Sequence, residues 1–200
     1  MCEDLDGLID TGDDMVEWHG TVIATTPRLV LRTFRRDDLP LYAALNDDPE
    51  VMEHLGGVIP REESDSIAEW AQGLHAREGI GLLAVERRED GAFLGMCGLH
   101  HQRSYPDDVE VGWRFAREYW GHGYATEAAA GWLEYGFATL ALSRIISITL
   151  PSNLRSLGVM ARVGLAFDHE AKVEEGGKVF DAVIYAITRE QWLAAHNSPH

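Results

Sequence analysis

The feature that most constrains the fold is a glycine-bearing turn between a strand pattern and a helix pattern. Residues 109–115 alternate between apolar and polar side chains, and Trp120-Gly-His-Gly-Tyr-Ala-Thr126 follows them at the start of an alanine-rich helix pattern. A further strand pattern occupies residues 144–150. A strand, a turn, a helix and a strand in this order predict a βαβ-like unit.

The rest of the chain predicts an antiparallel meander around this unit. A hairpin at Glu174–Lys178 joins two closing strands. Residues 1–24 are acidic without sustained periodicity, which indicates a mobile N-terminal extension. We expect one domain over residues 25–196. Earlier strand patterns lie at residues 28–34, 80–86 and 93–100. Helix patterns lie at residues 39–45, 50–55, 62–78 and 151–163.

Charge and composition argue against several classes of function. The net charge of -16 repels phosphate backbones, which excludes nucleic acid as the expected partner and suits a cationic amine, although it also suits mere solubility. No window approaches the ~18 consecutive apolar residues of a membrane span, so we expect a cytoplasmic protein without membrane contact. Cys2 and Cys97 lack the spacing of metal or redox motifs, and we expect no metal site.

The glycine turn has the chemistry of a phosphate site. Glycines let the backbone approach a ligand, and the N–H groups at a helix start favour an anion. The turn lacks the Lys-Ser/Thr pair of a P-loop, and Thr126 stands at the third-glycine position of the dinucleotide fingerprint. It therefore favours neither ATP nor NAD, and a plain glycine-bearing helix entry is the alternative.

The same turn resembles motif A of the GNAT superfamily of N-acetyltransferases, Arg/Gln-x-x-Gly-x-Gly/Ala, with Gly123 and Ala125 in the last two places. Trp120 stands where that motif has Arg or Gln, which is usual in the RimJ/RimL-like branch that acts on ribosomal-protein N-termini. The string from Val109 to Ala128 is similar to that branch.

A second motif strengthens the resemblance. Asn153-Leu-Arg-Ser156 and Gly164 resemble the Asn-x-x-Ser/Ala helix of the same family and its closing glycine, and the likeness extends from about Thr26 to Thr188. It implies a mixed α+β fold with a mostly antiparallel twisted sheet of about seven strands, a parallel pair splayed at the cofactor site, and four to five flanking helices.

The resemblance also implies the cofactor and the partners. Acetyl-CoA would be the co-substrate, a primary amine the acceptor, and a homodimer the family-level expectation. The acceptor stays open among a protein N-terminus, a polyamine or aminoglycoside, and an amino-acid-like metabolite. The residues implied in coenzyme binding are Phe115, Ala116, Trp120, Gly121, His122, Gly123, Tyr124, Ala125, Thr126, Asn153 and Ser156.

Acetyl transfer needs a base for the amine and a proton for the departing thiolate. Glu110 resembles the glutamate on the central strand of several family members and is the candidate base, with His100 or His101 as the alternatives. Ser156 is the candidate donor to the sulfur, because Met160 occupies the position of the usual tyrosine. That methionine keeps open a coenzyme-A-binding module without turnover.

Overall fold

The computed structural model describes residues 18–175 and 178–196, and a single eight-stranded sheet forms its centre. The spatial order of the strands is 1-2-3-4-5-6-8-7, and every neighbouring pair is antiparallel except strands 5 and 6. This confirms the expected mostly antiparallel sheet with one parallel pair. The strands are β1 (Val22–Thr25), β2 (Leu29–Arg32), β3 (Gly81–Arg87), β4 (Phe93–Gln102), β5 (Tyr105–Phe115), β6 (Arg144–Thr149), β7 (Ala166–Glu175) and β8 (Lys178–Thr188).

The described residues also form five α-helices that pack on this sheet. α2 contacts β3, and α3 contacts β4 and β5 in the crossover between the parallel strands. No helix of the described part of the chain is long and apolar enough to cross a membrane. The helices are α1 (Leu39–Asn46), α2 (Arg61–Glu78), α3 (Tyr124–Glu134), α4 (Leu154–Arg162) and α5 (Arg189–His196).

A glycine at the end of the crossover lies where no side chain would fit. After α3, a π-helical turn spans Tyr135–Thr139, and Gly136 lies within it. A Cβ on Gly136 would come within 2.8 Å of Ile145 and 3.1 Å of Leu99. The neighbouring Trp132 is completely buried in the main core. Close packing therefore holds the C-terminal end of the crossover against β4 and β6.

The structure corrects the predicted helix at residues 50–55, which form a series of turns. The Asp48 carboxylate accepts hydrogen bonds from the backbone N–H of Glu50 at 2.9 Å and of Val51 at 3.4 Å. An Asp side chain that bonds the backbone ahead of it competes with helix formation. Gly56 and Gly57, both with positive φ, end the segment.

At the N-terminus the ordered sheet starts earlier than the sequence indicates. β1 pairs with β2, and Trp18 packs against the main core. The boundary predicted between residues 24 and 25 therefore falls inside β1. Residues 1–17, which hold Cys2 and most of the predicted extension, lie outside the described residues.

Candidate active site

In the described residues, the parallel strands β5 and β6 pair only between the middle of β5 and the start of β6. Val109 is opposite Ile145 and Glu110 is opposite Ile146, and no ladder pair follows. At the far end of β5, the N–H of Ala116 donates to Leu94 O at 3.0 Å on the β4 side. Because donors alternate between the two edges of a strand, the N–H of Phe115 faces the β6 side, where it has no ladder partner. The N–H of Phe115, one of the residues implied in coenzyme binding, thus faces the gap between the strands.

Glu110 is buried at the point where the two strands part. Its side chain is only about a tenth exposed, and Oε1 accepts the N–H of Ile148 at 3.1 Å. Oε2 lies 3.5 Å from Nε2 of His100 and 3.5 Å from Nε2 of Gln102. Glu110 is therefore not a solvated surface carboxylate.

His100 lies opposite Glu110 on β4 and faces it with an unprotonated nitrogen. Its Nδ1 is 3.1 Å from the carbonyl of His101, and a carbonyl only accepts, so Nδ1 carries the proton and Nε2 the lone pair. Burial lowers the pKa of His100 to about 4, which keeps the ring neutral near pH 7. His101 instead pairs with Glu78 at 2.7 Å and is half exposed. Of the two histidines, only His100 is next to Glu110.

The glycine turn presents a row of backbone donors without protein acceptors. Gly121 and Gly123 have φ of +78° and +79°, values that favour glycine. Gly123 is the N-cap of α3, and because glycine has no side chain it offers no capping acceptor to the first N–H groups of the helix. Within residues 18–175 and 178–196, no backbone or side-chain acceptor binds the six N–H groups of residues 121–126. A Cβ on Gly121 would meet nothing within 4 Å, so the turn is open to a ligand.

A side-chain cluster that the sequence analysis missed holds the turn in place. Glu127, in the first turn of α3, accepts from Thr26 Oγ1 at 2.6 Å, from the Arg28 N–H at 2.8 Å and from Arg28 Nε at 2.6 Å. Arg28 also donates to His122 O at 3.0 Å and stacks over the ring of Tyr124 at 4.7 Å. These contacts connect the turn to the start of β2. No local sequence motif predicts this cluster, because its members are far apart in sequence.

Trp120, directly before the glycine turn, is held by contacts with β5 and α4. Its indole N–H donates to Phe115 O at 2.8 Å, which fixes the ring at the end of β5. The guanidinium of Arg155, from α4, lies 4.2 Å over the same ring. Trp120 thus positions the turn against both β5 and α4, and its aromatic face is already in contact with a cation.

The second motif forms the start of α4. Asn153 is the N-cap, and its Oδ1 accepts the N–H of Ser156 at 3.2 Å. The hydroxyl of Ser156 has no hydrogen-bond partner in the described part of the chain. Met160 is completely buried and packs in the main core. Asn153 therefore caps a helix, and the position of the family's usual tyrosine is a core position here.

The described residues contain one buried cysteine and no cluster of metal-ligating side chains. Cys97 is a free, buried thiol, and its burial raises its pKa above the ordinary value, so it stays protonated. No group of three or more His, Cys, Asp or Glu side chains in residues 18–175 and 178–196 is arranged to hold a metal ion.

Comparison with known proteins decides what this arrangement is. Residues 28–166 match the family model described as an acetyltransferase (GNAT) domain. The chain belongs to the GNAT acetyltransferase family. A GNAT protein of this kind is an acyltransferase that uses acetyl-CoA and transfers the acetyl group to an amine.

Individual proteins are similar to this chain over most of its length. The chain is 33% identical over 144 residues to the uncharacterized protein YkkB of Bacillus subtilis, over 71% of this chain and 84% of YkkB. It is 29% identical over 180 residues to the FsC-acetyl coenzyme A-N(2)-transacetylase of Aspergillus fumigatus, over 84% of this chain and 77% of that enzyme. The crystal structure of an acetyltransferase from Agrobacterium tumefaciens str. C58 superposes with a TM-score of 0.72 at 26% identity, over 82% of this chain and 92% of that one.

Proposed function

We propose that the protein transfers the acetyl group directly from acetyl-CoA to a primary amine, with a protein N-terminal α-amine and a small-molecule amine as the two candidate acceptors. The observation that carries the proposal is the row of N–H groups at residues 121–126, which bind no acceptor in the described residues. Six donors at a helix start, on an open surface, match the charge and shape of a diphosphate.

We assign the coenzyme to the glycine turn, the end of β5 and the start of α4. Residues 120–126 would provide the diphosphate cradle, and Phe115 and Ala116, at the end of β5, would contact the thioester end of the coenzyme. Asn153 and Ser156 border the path from α4. When bound, acetyl-CoA supplies an acetyl thioester whose carbonyl oxygen needs a hydrogen-bond donor. The N–H of Phe115 is the donor that we assign to it.

Glu110 and His100 form the proton-accepting pair. A primary ammonium has an ordinary pKa of about 8 to 10 and must lose a proton before it attacks. Oε2 of Glu110 supplies the negative charge and Nε2 of His100 the lone pair, 3.5 Å apart. A proton taken by either atom is stabilised by the other, and we keep Glu110 as the principal base because it lies at the point where β5 and β6 part.

Ser156 completes the assignment as the donor to the departing sulfur. Its hydroxyl has no partner in the described residues, and it stands in the first turn of α4 beside the Asn153 cap. Burial of Met160 removes the family's usual donor position from the groove. The RimJ/RimL-like string from Val109 to Ala128 favours a protein N-terminus, whereas the Aspergillus relative is named for transfer to an N(2) amine.

Thiol release with acetyl-CoA and an amine panel tests the proposal. The panel contains an N-terminal peptide, a polyamine, an aminoglycoside and an amino acid. Glu110→Gln should lower kcat at least about 100-fold and leave the Kd for CoA unchanged, since a general base contributes ~10²–10⁴ to the rate. Asp107→Asn, at an exposed position of the same strand, is the matched control and should keep the wild-type rate.

Two results would contradict this function. If thiol release stays at background for every amine while CoA binds normally, the alternative of a coenzyme-binding module without turnover is favoured. Full activity of Glu110→Gln would remove Glu110 from the chemistry and leave His100 as the base.

A further inference from the structure

One arginine connects the coenzyme side of the groove with the segment between α1 and α2. Arg155 stacks over Trp120 at 4.2 Å, directly before the cradle of N–H groups. Its Nη2 also lies 3.5 Å from Oε2 of Glu53, in the turns that precede α2. His54 Nε2 is 3.6 Å from the same carboxylate oxygen. A single guanidinium therefore contacts both the tryptophan before the glycine turn and a carboxylate between α1 and α2.

The contact between Arg155 and Glu53 is easily exchanged. Both side chains are about half exposed, at 54% and 58%, and a pair of this kind changes an equilibrium constant by no more than about fivefold. A diphosphate carries more charge and accepts the two parallel N–H bonds of a guanidinium, which are the stronger interaction. The Trp120 ring, held by its bond to Phe115 O, gives Arg155 a fixed platform from which to reach either partner.

Glu53 is the carboxylate that would lose its arginine partner if Arg155 moved. Two other acids of the same segment, Asp48 and Glu50, already face Arg117, at 3.9 Å and 2.6 Å. Arg117 lies after β5 in a short 3₁₀ turn and is independent of Arg155. If Arg155 moves away, Glu53 loses its arginine partner, whereas Asp48 and Glu50 keep theirs, Arg117.

We propose that Arg155 is a coenzyme-operated latch. It pairs with Glu53 as in this structure, and it moves to the diphosphate when coenzyme binds. Glu53 is then available to a positively charged group of the acceptor other than the reacting amine. Coenzyme binding precedes amine binding in this scheme, and the preferred acceptor is an amine that carries a second positive charge. The inference rests on the proposed function, because the diphosphate is the anion that draws Arg155 away.

Calorimetry with CoA as the probe tests the exchange without any acceptor. Glu53→Gln removes the competitor for Arg155 and should tighten CoA binding about two- to fivefold. Arg155→Gln should weaken it about tenfold. In the Arg155→Gln background, Glu53→Gln should have no effect. Glu50→Gln is the matched control, because Glu50 pairs with Arg117.

The outcomes separate the latch from the function on which it rests. If the wild type binds CoA and Glu53→Gln binds it with the same Kd, the latch is overturned and the proposed function stands. If the effect of Glu53→Gln persists in the Arg155→Gln background, the latch is also overturned. If the wild type does not bind CoA, the proposed function fails.

Spermidine and butylamine probe the role of Glu53 toward the acceptor, since both offer a primary amine and only spermidine keeps further positive charges. Spermidine should have the lower KM in the thiol-release assay. Glu53→Gln should raise that KM about two- to fivefold, leave kcat unchanged and leave butylamine unaffected. Equal effects on both amines, or turnover of neither by a protein that acetylates another amine of the panel, would overturn the assignment of a second charge.

Discussion

Glu127→Ala removes the three hydrogen bonds that tie the start of α3 to the segment before β2. Oε1 of Glu127 accepts from Thr26 Oγ1 and from the Arg28 N–H, and Oε2 accepts from Arg28 Nε. Bonds to a charged acceptor contribute about 1.5–3 kcal/mol each when buried. The Arg28 side chain is 48% exposed, which reduces its ion pair to at most about 1 kcal/mol. We therefore expect a loss of about 2–4 kcal/mol in the free energy of unfolding.

Glu127→Gln separates the charge from the geometry. The amide oxygen can still accept from Thr26 and from the Arg28 N–H, but its NH2 group faces the Arg28 guanidinium, so the expected loss is about 1 kcal/mol. Glu134→Ala, at an exposed site on the same helix, is the control and should stay within ~0.5 kcal/mol of the wild type.

Urea unfolding at pH 7 measures these differences. With a slope of about 2 kcal/mol/M, Glu127→Ala should lower the midpoint by about 1–2 M and leave the slope unchanged. Because Arg28 also holds His122 O, the same variant should weaken CoA binding about tenfold. Equal midpoints for Glu127→Ala and Glu134→Ala would refute the reasoning.

The pH dependence of this difference has a definite sign. Burial alone would raise the pKa of Glu127, but the hydrogen bonds from Thr26 and Arg28 outweigh it, and the folded pKa is lower than the ordinary value. The carboxylate therefore contributes stability that is complete above its unfolded pKa of about 4.3 and is lost as the pH falls through the folded pKa. The gap in urea midpoint between the wild type and Glu127→Gln should shrink between pH 7 and about pH 3.5.

Three substitutions at the groove test the remaining assignments. Gly123→Val should weaken CoA binding at least about tenfold in calorimetry, because a φ of +79° is strained for valine and the valine side chain hinders close approach of the ligand. Unchanged affinity would contradict the phosphate assignment. Asn153→Ala should cost about 1 kcal/mol in thermal unfolding, whereas Asn153→Asp should keep the cap; equal stability of the two variants would argue against capping. Trp120→Phe should lose about 1 kcal/mol in urea unfolding, because Phe115 O loses its indole donor; no change would mean that the bond is replaced by water.

The local parts of the fold could be predicted from the sequence. Alternation of side chains places residues 109–115 on a strand, and the glycine turn marks the start of α3, because both signals depend on neighbouring residues only. The hairpin at Glu174–Lys178 is confirmed by the antiparallel pairing of β7 and β8 on either side of it. The helix expected at residues 50–55 is wrong because the Asp48 side chain outcompetes a weak apolar pattern.

Contacts between distant segments could not be predicted in this way. The carboxylate of Glu127 and the guanidinium of Arg28 meet only after β2 and α3 have packed together. Arg155 meets Glu53 only because α4 lies across from the turns before α2. The same limit applies to Glu110, whose strand position was predicted but whose burial depends on the path of β6.

The divergence of β5 from β6 gives Glu110 a structural role beside the catalytic role that we propose for it. Two strands that part leave N–H groups without ladder partners, and a buried donor without a partner costs about 1–3 kcal/mol. The chain satisfies the N–H of Ile148 with Oε1 of Glu110 and leaves the N–H of Phe115 facing the gap. Glu110→Ala should therefore lose both stability and rate. Glu110→Gln keeps an oxygen for Ile148 and should lose rate alone, so equal unfolding midpoints for the two variants would show that Glu110 does not support the divergence.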